Sequence, residues 1–232
     1  MELTGNNDAN RVFALNDQSF ATLNNSLLDN FYWFGHHNLM VNITGDQDLL
    51  RFISYAGESV PFDMRDKEMG WREQMEVVNP ICYKKLSMLT AYIMTIPGVP
   101  LLYYGDEIGL PGTFRPDNQR PMKWDKYTPE EENLRQVVST LIHLRRSSLP
   151  LIYGDFESIQ VDENTWVYIR TYFDKIAIMV MNKDATDRSV EFQIPERFEY
   201  KQLKAAFNSS FAINKTSMLV KMQPCSFEVL TN

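Results

Sequence analysis

A chain of 232 residues with 44% hydrophobic and 12% aromatic side chains holds enough apolar material for one large domain or two small ones. Its formal charge of −7 argues against a nucleic acid or an anionic membrane surface as the main partner, since both require a basic face. No apolar run approaches the length that crosses a bilayer, so no membrane segment is expected.

Residues 1 to 17 are polar, and Gly5 to Asp8 is not expected to hold regular structure. The start has no basic region followed by an apolar one, so it is not read as a secretory signal, and the compartment stays open. From Ser19 the pattern changes. Phe20, Leu23, Leu27, Phe31 and Phe34 recur at helical spacing, with Ser19 as N-cap and Gly35 as the stop. His36 and His37 follow, but neighbours in sequence point apart and no third ligand is near, so no metal is expected there. A long polar connection runs from Gly57 to Asn79. Asn79-Pro80 then opens a helix reaching about Thr95, with Cys82, Met88 and Met94 as core filling. Two cysteines, Cys82 and Cys225, are too few and too far apart for a disulfide framework or a zinc site.

Val99 to Tyr104 reads as a buried parallel strand, near-continuously apolar. Thr128-Pro-Glu-Glu131 is a capping box, and Leu134, Val137, Val138, Leu141 and Ile142 form the stripe of the helix behind it. His143 sits in the last turn of that helix, where a basic group is ordinary. Strand and helix alternating in this way predict a βαβα unit with a right-handed crossover. From Leu149 the texture turns to alternation. Trp166 to Phe173 and Ile176 to Met181 read as a hairpin across Asp174-Lys175, and strands follow at 188–194, 200–207, 218–222 and 227–230. The predicted organisation is therefore an α/β part over residues 1–148 and an antiparallel β-sandwich over 149–232.

Two strand-then-acidic-loop segments carry the chemistry. Leu39 to Thr44 is a short apolar strand, broken at Gly45, that delivers Asp46, Gln47 and Asp48 just past its end, with Arg51 three residues on. Ile96-Pro-Gly-Val-Pro-Leu-Leu-Tyr-Tyr-Gly-Asp-Glu-Ile-Gly109 repeats the arrangement, followed by Pro116-Asp-Asn-Gln-Arg-Pro-Met-Lys-Trp-Asp125. Carboxylates at the carboxyl ends of parallel strands are where barrel enzymes keep their chemistry.

Together these segments, in this order, resemble the α-amylase family of glycoside hydrolases over roughly residues 15 to 232. The resemblance implies the last two strands of a (β/α)8 barrel, the preceding helix and the β-sandwich that follows the barrel. It implies retaining hydrolysis of α-glucosidic bonds in starch or maltooligosaccharides, with Asp48 as the carboxylate that stabilises the oxocarbenium-like transition state. Gln47 stands where the family usually has histidine and can still hydrogen-bond a sugar hydroxyl. Asp46 replaces the usual asparagine and sets a second charge beside Asp48. Asp117 and Arg120 match a loop that reaches outer glucose units. Arg51, Tyr104 and Glu107 are expected to support the strand-end loops, Arg51 by pairing with a carboxylate, and Trp124 to pack its loop.

The nucleophile aspartate and the acid/base glutamate of the family have no counterpart in this sequence, and the usual calcium site lies largely outside the matched region. The chain is therefore expected to be inactive alone, to take no metal or cofactor, and to self-associate through an open barrel edge. The alternative is a non-catalytic module binding glucan or another protein.

Overall fold

A computed structural model describes residues 4–35, 40–196 and 203–232. His36 and His37, the start of the strand expected at 39–44 and the start of that expected at 200–207 lie outside them.

The first element corrects the sequence reading. Helix α1 spans Thr4–Ala14, although its first turn is rich in asparagine and glycine. Ala9, Val12 and Phe13 at helical spacing are buried and hold it against the core. Helix α2, Phe20–Phe34, begins where Ser19 accepts the backbone N–H of Ala21, and it stops at Gly35. Strand β1, Val41–Ile43, is followed by the short helices α3, Phe52–Ala56, and α4, Met69–Arg72. Helix α5 runs Ile81–Thr95, with the Asn79 side chain accepting from the Ile81 N–H at 3.1 Å. Cys82, Met88 and Met94 are buried in its packed faces.

Strand β2, Val99–Leu101, pairs in parallel with β1, Val41 facing Val99 and Ile43 facing Leu101. Gly98 makes the approach possible. Its φ is +115°, and a Cβ there would stand 2.4 Å from the Met40 carbonyl oxygen. The expectation of a buried β2 fails. Val41, Val99 and Leu101 are each close to half exposed, because among the described residues this sheet has only two strands and little covers its faces. Helix α6, Pro129–Ser147, carries the full capping box at Thr128 and Glu131, and α7, Leu149–Tyr153, follows it.

The antiparallel part comprises β3 (Asp155–Val161), β4 (Thr165–Tyr172), β5 (Lys175–Asn182), β6 (Arg188–Gln193), β7 (Lys204–Ala205), β8 (Phe211–Asn214), β9 (Ser217–Met222) and β10 (Ser226–Thr231). They form two sheets, ordered β3-β4-β5-β10-β7 and β6-β9-β8. Val167, Ile169, Ile178, Val180 and Leu230 of the larger sheet meet Val190, Phe192, Met218 and Val220 of the smaller. The alternate residues of the larger sheet, Trp166, Tyr168, Met179, Met181 and Val229, pack instead against α1, α2 and α5. That sheet is buried on both faces, which is why its alternation is weak in the sequence. The β4–β5 turn is Phe173-Asp174 rather than Asp174-Lys175, since Tyr172 pairs with Lys175.

Two buried arginines hold the end of α5. Arg145 donates to the carbonyls of Met94, Ile96 and Gly98. Arg170 donates to Thr95 at 2.6 Å and to Gly154 at 2.7 Å. Both place positive charge where the helix dipole is negative and its last carbonyls lack partners.

Candidate functional site

Because β1 and β2 run parallel, their following loops, 44–51 and 102–120, emerge on one side. Asp46 shapes the first. Its Oδ1 accepts the backbone N–H groups of Asp48 at 2.7 Å and Leu49 at 3.0 Å, a side-chain turn typical of aspartate. The charge beside Asp48 is thus spent on the backbone. Asp48 itself projects outward, its side chain 61% exposed, with Oδ1 2.6 Å from Arg115 Nη2 and Oδ2 accepting from the Gln47 amide at 3.3 Å. The backbone carbonyl of Gln47 accepts from Arg115, Asn118 and Gln119, so the second loop clasps the first.

Beneath this lies Arg51, 1% exposed. It donates to the carbonyls of Asn118 at 3.1 Å and Tyr104 at 2.5 Å, pairs with Asp106 at 3.0 Å, and lies over the Tyr103 ring at 4.1 Å. Gly105, with φ +88°, turns the chain so that Asp106 reaches this guanidinium. Burial raises the Asp106 carboxyl to about 6 against the lowering pull of Arg51. Glu107 is half-buried next door, and its charge adds slightly to the rise.

The remaining candidates are placed differently from one another. Tyr104 donates its hydroxyl to the Arg120 carbonyl at 2.8 Å, across the 102–120 loop. Asp117, expected to meet outer sugar hydroxyls, has no side-chain exposure. Its oxygens accept from the N–H of Thr113 and of Met75 and pair with Arg120 at 2.6 Å. Arg120 also donates to the Met75 carbonyl. In this structure the pair joins the 113–120 loop to the 57–79 connection, and neither group faces open solvent freely. Trp124 departs from its expected packing and stands 81% exposed. Helix α6 holds His143, whose ring bonds the Ser139 carbonyl. Among the described residues no group of three or more His, Cys, Asp or Glu is placed to hold a metal ion.

Sequence reasoning missed Arg115 and Asn118. Arg115 immediately precedes a recognisable loop motif, but nothing local shows that it folds back onto Asp48. Asn118 lies inside that motif, and its amide bonds the carbonyls of Gln47 and Leu49.

No protein-family model matches the chain. It is 34% identical over 114 residues to neopullulanase 2 of Thermoactinomyces vulgaris, covering 48% of this chain and 19% of that protein. It is 23% identical over 189 residues to a cyclomaltodextrinase of Thermoanaerobacter pseudethanolicus, covering 80% of this chain and 29% of the relative. The chain thus spans less than a third of the length of these curated relatives. The fold matches the crystal structure of an Anoxybacillus α-amylase with a TM-score of 0.81 at 22% identity, over 100% of this chain and 46% of that one. It matches α-amylase from Geobacillus thermoleovorans, solved with acarbose, with a TM-score of 0.77 at 21% identity, over 98% of this chain and 46% of that one. The paired parallel strands, their acidic loops and the antiparallel sandwich match the C-terminal portion of these α-amylase structures, part of a (β/α)8 barrel with the sandwich that follows, and in sequence the chain is similar to the corresponding part of neopullulanase, cyclomaltodextrinase and maltogenic α-amylase.

Proposed function

We propose that the loops after β1 and β2 form part of an α-glucan site, with Asp48 as the carboxylate that holds ring hydroxyls and stabilises a glucosyl oxocarbenium-like transition state. One observation carries this reading. Asp48 stands exposed beyond a parallel strand, on a turn fixed by Asp46 and clasped from the second loop. A preorganised carboxylate of this kind stabilises positive charge as it develops. Gln47, its amide on Asp48, and Arg115, its guanidinium on the same carboxylate, are the adjacent groups that a sugar hydroxyl would meet. Support comes from relatives that include cyclomaltodextrinases and from structural neighbours solved with acarbose, maltotriose and maltose.

Retaining hydrolysis needs a nucleophile and an acid/base besides this group. With neither in the chain, the reading assigns it oligosaccharide binding without turnover when alone. The same reading divides the chain at residue 148, barrel portion before and sandwich after. It also makes the half-exposed β1–β2 pair a surface for self-association, as unpaired strand edges invite.

The test is to titrate the purified chain with maltoheptaose while assaying for released reducing ends. Saturable binding, weakened about tenfold by Asp48→Asn and accompanied by no hydrolysis, is the expected result. Hydrolysis abolished by Asp48→Asn would refute the inactive assignment, and binding indifferent to that substitution would refute the site. Sedimentation velocity, with Val99→Lys as the monomerising variant, tests self-association.

A further inference from the structure

A cleft of about 460 Å³ opens between the helical part of the chain and the sandwich, on the side where α5 begins. That volume lies in the range of small-molecule sites. Asn16, Asn79 and Lys85 line one wall, and Asn164, Lys183 and Cys225 line the other. Both lysines are drawn in from the surface. Lys85 is only 7% exposed, and its ammonium donates to the Ala14 carbonyl at 2.7 Å, where α1 ends. Lys183 is half-buried and donates to the carbonyls of Gln18 and Asn16.

Among the described residues neither ammonium forms a salt bridge, so two positive charges share one cleft with no carboxylate in contact. The acidic groups around them are engaged or turned to water: Asp184 is paired with Arg188, and Asp17, Glu58 and Glu163 are exposed. Burial lowers the Lys183 ammonium below its ordinary value; Asp17 opposes this, and the nearby charge of Lys85 adds to it. An ammonium has three donors, so the carbonyls named above leave two on Lys85 and one on Lys183. The Asn79 Oδ1 accepts the Ile81 N–H at 3.1 Å, which leaves its Nδ2 group as a donor. The carboxamides of Asn16 and Asn164 form no hydrogen bond among the described residues. Charged donors of this kind bind oxyanions most strongly, and the positive end of the α5 dipole lies at the same wall. Two cations call for a dianion, which a phosphate supplies near neutral pH and chloride or a carboxylate does not.

We infer that this cleft binds a phosphate group, free or carried on a small sugar, with the Lys85 and Lys183 ammoniums on its oxygens and the asparagine amides around them. The site is independent of the function proposed for the Asp48 loops. Bound there, the anion would neutralise two like charges and bridge the first turn of α5 to the turn after β5, so occupancy would stiffen the joint between the two parts of the chain.

The experiment titrates the isotope-labelled full chain with sodium phosphate at constant ionic strength, following the amides of Ile81, Asn164 and Asp184 by NMR, with Asp48 to Leu50 as the control at the strand-end loops. Saturable shifts confined to the cleft amides are expected, with a thermal midpoint raised by about 5–10 °C at a hundredfold excess over Kd. Lys183→Gln removes the charge but keeps a donor for the Gln18 carbonyl, and is expected to weaken phosphate binding about tenfold. Lys175→Gln, at the far end of β5, is expected to change nothing. Glucose 6-phosphate tells the two sources apart: tighter binding than inorganic phosphate points to a sugar phosphate, equal or weaker binding to the free ion. Cleft amides that stay still, or that move equally with sodium chloride, would overturn the inference. So would a Lys183→Gln chain that folds like the parent and binds phosphate as tightly. The parent titration decides the matter even where that variant does not fold.

Discussion

Arg170→Met tests whether buried arginines really tie α5 to the sandwich. Arg170 is 1% exposed and, among the described residues, forms no salt bridge, so its guanidinium hydrogen-bonds to main-chain carbonyls, with Asp155 adding only a longer-range attraction. Nη1 reaches Thr95, Nη2 reaches Gly154, and Nε is shared between Gly154 and Asp155 at 3.2 and 3.3 Å. Burial, with Arg145 nearby, lowers its ionisation to about 10, which shows how much the interior opposes this charge. Removing the guanidinium relieves that desolvation but leaves two buried carbonyls without donors, at about 1–3 kcal/mol each. Methionine keeps most of the stem's volume, so the cavity contribution is small. The net expectation is a loss of about 3 kcal/mol, a large share of the ~5–15 kcal/mol typical of whole-domain stability. Urea unfolding should show it as a midpoint lowered by about 1–1.5 M at an unchanged slope. Arg170→Lys should recover less than half, because a compact ammonium cannot span the carbonyls that the planar fork reaches. As a control, Arg135→Ala removes an exposed pair with Glu132 and should leave the midpoint in place. A midpoint for Arg170→Met within about 1 kcal/mol of the parent would refute the reasoning.

Three further outcomes follow from local chemistry. Thr128→Ala removes the side chain that accepts from Glu131 N–H and should cost about 1 kcal/mol, read as faster amide exchange in the first turn of α6. Asp106 takes up a proton at higher pH in the folded chain than in the unfolded one, so folding binds protons between about pH 4 and about pH 6. Relative to Asp106→Asn, the parent should therefore gain stability as pH falls through that window, and paired unfolding curves at pH 7 and pH 4.5 would expose the opposite sign. Phe173 occupies the first position of a two-residue hairpin at φ +51° and is 85% exposed, so Phe173→Gly should raise the unfolding midpoint by about 1 kcal/mol equivalent.

What the sequence disclosed followed the reach of each signal. Capping at Ser19 and Thr128 is written within three residues and was legible there. Strand β3 was not, because a bulge between Ser158 and Gln160 breaks its period. Phe156 and Val161 consequently share one core while Ile159 enters the other, a pattern that neither simple alternation nor helical spacing describes. Helix α1 was hidden because Asn6, Asn7 and Asn10 have poor helix propensity, and only tertiary burial of Ala9, Val12 and Phe13 overrides it. At the site, the motif exposed Asp48 and Arg51 but not Arg115, whose partner lies 67 residues earlier and depends on the fold of the intervening loop.

That dependence bears on how the site should be dissected. Asp48 is held mainly through the backbone around it. Asn118 binds the carbonyls of Gln47 and Leu49, and Arg51 binds the Asn118 carbonyl from beneath. Arg51 also joins Tyr104 and Asp106, so one buried guanidinium ties together the segments after both strands. Its removal would leave Asp106 buried without its counter-charge and free three loop anchors at once. Loss of glucan binding in an Arg51 variant would therefore show only that the loops had come apart. Asp48→Asn and Arg115→Gln change exposed groups and leave that buried network intact. An effect of theirs on binding, without a shift in the unfolding midpoint, is what can assign contact with sugar.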